Sequence, residues 1–163
     1  MADKPLTSEQ ILALLTATPE RIAALTDGLT PAQLRTSPSP GEWSANNVLA
    51  HLRACADTRG GAIVAILVEG KTTLRAINPL TWIKQTNYLD LDFAPSFRAF
   101  AAQRAELLAL LRPLSPDGWT RAATVTGAGA PLVRTVQTYA QWVAIHERPH
   151  VKQVARIANA LRG

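Results

Sequence analysis

Hydrophobic residues recur at helical spacing in four segments of this chain, and the most regular series lies in the last one. Steps of three and four residues from Val136 to Ala160 pass, in order, Tyr139, Val143, His146, His150, Gln153 and Ile157. This spacing places the side chains along one face of a helix, which we predict over residues 135–161. Two of the positions are histidines, although apolar residues would pack there equally well.

The first segment predicts a helix that begins near Ser8. Thr7 has the side chain of a good N-cap, and Gln10 follows it by three residues, as in a capping box. Pro19 interrupts this segment, because proline lacks an N–H and its ring clashes with the preceding turn. We therefore predict a kink at Pro19 or a new helix start with Thr18 as its cap.

Two more amphipathic segments predict the second and third helices. The second opens at Ser44 as its N-cap and continues to about Val68. Its glycine pair at 60–61 lowers helix propensity and indicates a bend or a close approach of another helix. The third helix is predicted from 95–96 to 112–113, where a proline ends the series.

The long connection over residues 71–92 has no helical period and joins the second helix to the third. About twenty extended residues can return along a helix that is roughly 35 Å long, so these two helices can run parallel. Residues 124–131, rich in Gly, Ala and Thr, predict a loop that can carry a short extended piece. These elements together predict an all-α four-helix bundle, folded as one domain over residues 1–163.

Composition excludes several classes of function. The 163 residues are 47% hydrophobic and 18% charged, and no apolar run is long enough to span a bilayer. The segment 1–5 lacks the order of a signal peptide, so we expect a cytoplasmic protein without a membrane partner. The net charge of +5 comes from scattered Lys and Arg residues, which we interpret as solvated surface rather than a nucleic-acid site.

The candidate chemistry centres on the only three histidines of the chain, His51, His146 and His150. All three fall on predicted inward faces, and His146 and His150 are one helical turn apart, as in a chelating pair. Hydrogen-bonded core histidines are the structural alternative. Cys55 is the single cysteine, which excludes a disulfide framework, and we expect it to be a small buried residue rather than a ligand.

Three further polar residues are candidates for contacts to substrate or to the ligands. Arg104 lies on or beside the apolar stripe of the third helix, where an arginine usually reaches the surface but can also hold an anionic group. Glu147 directly follows His146, and we expect it to be solvated. Gln153 lies one turn beyond His150 on the same seam.

Two stretches of sequence carry a resemblance to a known family. Residues 41–44 (GEWS) with 48–52 (VLAHL), and residues 146–154 (HERPHVKQV), are similar to the signature segments of the DinB/YfiT-like superfamily of bacterial metalloenzymes. The similarity covers nearly the whole chain, including the lengths between segments. It implies an up-down-down-up bundle in which three histidines bind a divalent ion, zinc or nickel, and it assigns those roles to His51, His146 and His150.

The resemblance also implies a range of functions. Several branches of the superfamily are thiol-dependent S-transferases or isomerases, so we expect a metal-dependent transferase or hydrolase that acts on a small molecule, with a low-molecular-weight thiol as co-substrate. The alternative is a bundle that binds a metal or ligand without turnover, such as a stress-related binding protein. Homodimers are expected as well, with Trp82 and Trp142 as candidate contacts.

One residue departs from the family pattern. Pro149 lies inside the HxxxH turn, where it removes the hydrogen bond to the carbonyl of Ile145. A bulge or kink at this turn would rotate His150 relative to His146 and change the metal geometry. A mild kink without effect on the site is the alternative.

Overall fold

A computed structural model describes residues 4–163 and contains four long helices. Helix α1 is Ser8–Thr26, α2 covers residues 45–67, α3 is Phe93–Leu111 and α4 is Val136–Arg162. Residues 1–3, which belong to the segment tested above for a signal peptide, lie outside the described residues. Within residues 4–163, no helix combines the length and the apolar character needed to cross a membrane.

The start of α1 is confirmed, and of the two alternatives predicted at Pro19 the new helix start is wrong. The Thr7 hydroxyl accepts the Gln10 N–H at 3.1 Å and the Gln10 side chain accepts the Thr7 N–H at 2.9 Å. Pro19 lies inside one continuous helix, and Thr18 does not cap a second one. The buried stripe runs on both sides of the proline, through Leu15 and Ile22. The Leu15 carbonyl, which Pro19 leaves without a helical donor, accepts a hydrogen bond from Arg104 at 2.9 Å.

Helix α2 begins after Ser44 as predicted, and a π-helical turn divides it into two α-helical parts. The α-helical parts are Ala45–Cys55 and Gly61–Leu67, and the π-helical turn is Ala56–Gly60. The glycine pair that predicted a bend is at the end of this turn. Single π turns inside α-helices occur frequently at functional sites.

Helices α3 and α4 differ little from their predicted bounds. Helix α3 starts at Phe93, ahead of the prediction, because Pro95 still falls in the first turn, where an absent N–H costs no helical bond. Helix α4 is capped by Thr135, whose hydroxyl accepts the Thr138 N–H at 3.1 Å. Pro149 lies inside α4, which is α-helical along its whole length, so the predicted bulge is absent.

The up-down-down-up topology follows from which helix ends share a core. One buried cluster joins the end of α1, the starts of α2 and α3, and the end of α4; it includes Ile22, Val48, Leu49, Phe93, Phe100, Val154 and Ile157. Helices α2 and α3 therefore run parallel to each other and opposite to α1 and α4. Helices α1 and α2 each pack against α3 and α4, so they occupy diagonal positions.

A three-stranded sheet lies beside the other end of the bundle, and sequence analysis missed it except as a short extended piece. Strand β1 is Thr73–Arg75, β2 is Ala122–Thr126 and β3 is Leu132–Thr135. Strand β2 is central, pairing parallel with β1 and antiparallel with β3. Its alternate residues Ala123 and Val125 join the core formed by the ends of α2 and α3 and the start of α4.

The connection from α2 to α3 is ordered and is attached to the π-helical turn of α2. After β1 it contains three short helical turns, Pro79–Trp82, Ile83–Gln85 and Tyr88–Asp90. The carboxylate of Asp57 accepts hydrogen bonds from the Trp82 indole at 3.0 Å, the Tyr88 hydroxyl and, from α3, the Gln103 amide at 2.8 Å. One half-buried carboxylate thus holds the crossover and α3 against α2.

Candidate metal centre

The structure brings the three histidines together between α2 and α4. The Nε2 atoms of His51 and His146 are 3.3 Å apart. The ring centroids lie 5.1 Å apart for His51 and His146, 4.8 Å for His51 and His150, and 4.7 Å for His146 and His150. The inward placement expected from the helical periods is therefore observed, and the α-helical path through Pro149 keeps the two rings of α4 adjacent.

The geometry and protonation of this cluster fit a divalent ion. Two imidazole nitrogens bound at about 2.0–2.1 Å with a tetrahedral angle lie about 3.3–3.4 Å from each other. Burial, followed by the neighbouring His150, lowers the pKa of His51, and the same two causes lower the pKa of His146 to about 4. Both rings are thus neutral near pH 7 and have lone pairs free for a metal.

His150 is oriented by Gln153. Its Nδ1–H donates to the Gln153 Oε1 at 2.9 Å, one turn along the helix. This hydrogen bond leaves the lone pair on Nε2, the nitrogen that faces away from the amide. Gln153 therefore occupies the position of a residue that fixes the tautomer and direction of a ligand.

Two tryptophans pack against the imidazoles, and sequence analysis did not assign them to the site. Trp142 stacks on His146 with centroids 4.6 Å apart and planes 9° apart, and Trp43 stacks on His150 at 6.3 Å and 9°. The sequence singled out Trp43 only as part of the GEWS segment of the family resemblance, and Trp142 only as a candidate dimer contact. The spacing of four residues from Trp142 to His146 was the signal that could have placed it at the site.

Cys55 is buried, as expected, and also lies beside the histidines. Its side chain is 3% exposed and its Sγ is 3.7 Å from the Nε2 of His51. Burial raises the pKa of the thiol to about 12, so the protonated form dominates in the protein without an ion. The donor atoms of His51, Cys55 and His146 all lie within 4.8 Å of one another. The cluster therefore contains a sulfur atom besides its imidazoles.

Arg104 and Glu147 form a buried ion pair, which corrects both expectations for them. Arg104 and Glu147 are 3% and 2% exposed, so the arginine does not reach the surface and the glutamate is not solvated. The Arg104 guanidinium binds both carboxylate oxygens of Glu147 and donates to the carbonyl of Leu15 at 2.9 Å. These contacts tie together α1, α3 and α4, and they occupy the groups that would otherwise contact a substrate.

Comparisons with known proteins place this arrangement in a family. A search of curated proteins gave no match. Among solved structures, this chain superposes on YfiT from Bacillus subtilis with a TM-score of 0.74 and 16% sequence identity; the superposition covers 98% of this chain and 91% of YfiT. YfiT is described as a probable metal-dependent hydrolase with an unusual four-helix bundle topology. The sequence model of the DinB superfamily matches residues 14–154. The chain, a four-helix bundle with the topology of YfiT, therefore belongs to the DinB superfamily.

Proposed function

We propose that this protein is a divalent-metal-dependent enzyme that acts on a small molecule, with the metal held by His51, His146 and His150. The observation that carries the proposal is the 3.3 Å approach of imidazole nitrogens from two different helices, with the third imidazole beside them. Imidazole ligands suit zinc and nickel among the divalent ions. Cys55 is close enough to act as an additional donor.

The protein residues around the cluster support catalysis more than a purely structural metal site. Three imidazole ligands would contribute no negative charge, and a divalent ion held by His51, His146 and His150 would supply a Lewis acid that lowers the pKa of water or of a thiol toward neutrality. Trp43 is 40% exposed, so one wall of the cluster is open to solvent. Trp142 forms a second wall and restricts the side from which a substrate can approach His146.

The reaction we favour is transfer to a low-molecular-weight thiol, with hydrolysis of a small molecule as the second candidate. Thiol transfer is suggested by the two histidine-containing segments, which resemble the signature segments of a superfamily with several thiol-dependent branches. Hydrolysis is supported by the fold shared with YfiT. Both reactions would need the coordination position that three imidazole ligands leave open on a divalent ion. Neither uses Glu147 as a base, because its carboxylate is engaged by Arg104.

An activity assay on protein purified without a His tag separates these reactions from simple binding. Zinc-loaded and nickel-loaded protein is given a generic aryl halide electrophile with and without a small thiol, and separately an activated ester. The proposal predicts turnover that requires the metal and disappears in His146→Ala, while Arg148→Ala, an exposed neighbour on α4, remains active. Stoichiometric metal binding without turnover of any substrate would instead support a binding protein.

We further propose a cytoplasmic location and a two-fold homodimer. The two tryptophans first considered for the interface are engaged within the chain, since Trp82 donates to Asp57 and Trp142 packs on His146. Both side chains are only half-buried, so they remain the candidate contacts of the proposed dimer. Light scattering at micromolar concentration tests this proposal, and a monomeric mass would refute it.

A further inference from the structure

A cavity of about 810 Å³ lies between the π-helical turn of α2 and the three-stranded sheet. Its walls include three arginines, one from each of α2, β1 and β3: Arg59, Arg75 and Arg134. Thr58 and Tyr139 add hydroxyl groups to the lining. Cavities of roughly 300–1,000 Å³ are the usual size for small-molecule ligands.

The three arginines of this cavity lack counter-charges within the described part of the chain. Within residues 4–163, Arg59, Arg75 and Arg134 make no ion pair and donate no side-chain hydrogen bond. Of the two acidic residues in the lining, Glu69 pairs with Lys71 at 3.2 Å, and Asp57 accepts the three hydrogen bonds described above.

Arg59 is the most unusual of the three arginines. Its Nε is buried without a hydrogen-bond partner in the described part of the chain. Burial, followed by the charge of nearby Arg134, lowers the pKa of Arg59. A half-buried guanidinium beside a second one is costly unless an acceptor satisfies both. The planar guanidinium group is suited to hold a carboxylate or phosphate through paired hydrogen bonds.

The indole of Trp142 connects Arg59, which lines the cavity, to the histidine cluster. The guanidinium of Arg59 lies over the indole of Trp142, 4.5 Å from its centroid, and the same indole stacks on His146 at 4.6 Å. Arg75 approaches the turn after β2 so closely that a Cβ on Gly127 would lie 3.2 Å from its Cγ, and this glycine has φ +89°. A side chain at position 127 would therefore press on the arginine.

We infer that this cavity binds the anionic group, a carboxylate or a phosphate, of the small molecule that the protein acts on. That the bound molecule is a substrate rests on the proposed function, whereas the presence of an anion-binding site rests on the three arginines alone. An anionic group held by Arg59 and Arg134 places the rest of a small ligand near Trp142, next to His146. Arg75 adds a third positive charge from the sheet side.

Calorimetric titration of the metal-free protein tests the site without any need for turnover. The probes are inorganic phosphate and benzoate, with uncharged benzamide as the matched control ligand. We expect at least one of the two anions to bind with a Kd in the millimolar range or below, and its affinity to fall as the salt concentration is raised. If benzoate is the preferred anion, benzamide should bind at least tenfold more weakly than benzoate. Preference for phosphate or for benzoate identifies the anionic group.

Substitutions locate the binding. Arg59→Gln and Arg134→Gln should each weaken anion binding at least tenfold, while Arg148→Gln, which removes an exposed arginine of α4, should leave it unchanged. Circular dichroism checks that each variant is folded; if Arg59→Gln is unfolded, Arg134→Gln decides. Equal affinity in wild type and in the folded cavity variants, or the absence of binding by both anions, would overturn the inference.

The titration also separates this inference from the proposed function. If the protein binds anions through Arg59 but binds no metal, the inferred anion site is retained and the proposed metal-dependent function is refuted. In active metal-loaded protein, Arg59→Gln should raise KM about tenfold for an anionic electrophile and leave KM unchanged for its neutral ester. An equal rise for both would contradict a role in recognising charge.

Discussion

Helix α4 contributes two neighbouring residues, His146 and Glu147, to two different polar regions of the interior. His146 joins a cluster of three half-buried imidazoles, two of them held neutral by burial. Glu147 forms a fully buried ion pair with Arg104, in which the guanidinium also binds the carbonyl of Leu15. The ion pair satisfies its own hydrogen-bonding groups, whereas the His51 and His146 imidazoles turn their Nε2 atoms toward each other, 3.3 Å apart, without a carboxylate partner in residues 4–163.

This difference distinguishes polar groups that hold the fold from polar groups that can bind a ligand. A buried charge with a bidentate partner needs nothing further and stabilises one arrangement of α1, α3 and α4. Uncharged imidazole nitrogens that converge without a charged partner leave a position for an ion. The two regions should therefore respond differently to mutation, the first in stability and the second in metal affinity.

The largest effect is expected from breaking the ion pair. Glu147→Ala leaves the Arg104 guanidinium buried without its partner, so the free energy of unfolding should fall by about 3–5 kcal/mol in metal-free protein. Urea denaturation measures the loss. The double variant Arg104→Met with Glu147→Leu should recover most of it, because no uncompensated charge remains. A loss below about 1 kcal/mol in Glu147→Ala would show that the pair does not organise the core.

Pro149 tests whether the histidine cluster depends on an unusual helix geometry. Helix α4 is α-helical through Pro149, and the centroids of the His146 and His150 rings are 4.7 Å apart. Pro149→Ala should therefore leave zinc affinity unchanged. It should also stabilise the metal-free fold by up to about 3 kcal/mol, because proline is unfavourable in a helix interior. Thermal unfolding and a zinc titration measure the two quantities. Pro19→Ala in α1 is the control for a helix-interior proline away from the histidines, although its Leu15 carbonyl is bound by Arg104. A changed zinc affinity would mean that the proline sets the ligand geometry, and a destabilised variant would mean that its ring is required for packing.

Gln153 tests whether the imidazoles are oriented for metal binding. Replacing it with alanine removes the acceptor of the His150 Nδ1–H, so zinc affinity should fall by about 10–100-fold with little change in stability. Competition with a chromogenic chelator gives the affinity. Lys152→Ala, an exposed neighbour, serves as the control. An unchanged affinity in Gln153→Ala would argue that His150 is not a ligand.

The smallest effect on stability is expected from the hydrogen bond between Tyr88 and Asp57. Like the ion pair, the Asp57 carboxylate has hydrogen-bond partners within the protein. Burial, followed by the hydrogen bond to Asp57, raises the pKa of Tyr88 to about 12. The folded state therefore keeps the phenol proton at a pH where the unfolded state releases it, and this stabilisation is complete below pH 10 and is lost as the pH rises toward 12.

Unfolding experiments with Tyr88→Phe measure this contribution. The phenol is partly exposed, so we expect the variant to be less stable by only about 1 kcal/mol at pH 8, with the difference shrinking above pH 10. Urea denaturation at pH 8, 10 and 11 follows it. A difference that stays constant or grows with pH would contradict the assigned hydrogen bond.

The sequence predicted the fold better than it predicted the partners of polar residues. Apolar periodicity and caps such as Ser44 define a helix and its inward face, which was enough for the bundle and for the inward placement of the three histidines. Periodicity cannot identify which side chain meets another across the core, so Arg104 and Glu147 were misassigned. It also could not reveal Arg59, whose position depends on a π-helical turn and on strands of three to five residues.

Metal analysis of untagged protein tests the central claim most directly. Wild-type protein is incubated with zinc, freed of unbound ion on a desalting column and analysed by elemental mass spectrometry beside His51→Ala, His146→Ala, His150→Ala and the control Arg148→Ala. We expect about one zinc per chain in wild type and the control, and strongly reduced zinc in each histidine variant, because two imidazoles alone form a weak site. Unchanged zinc content in all three histidine variants would show that these residues do not hold the metal.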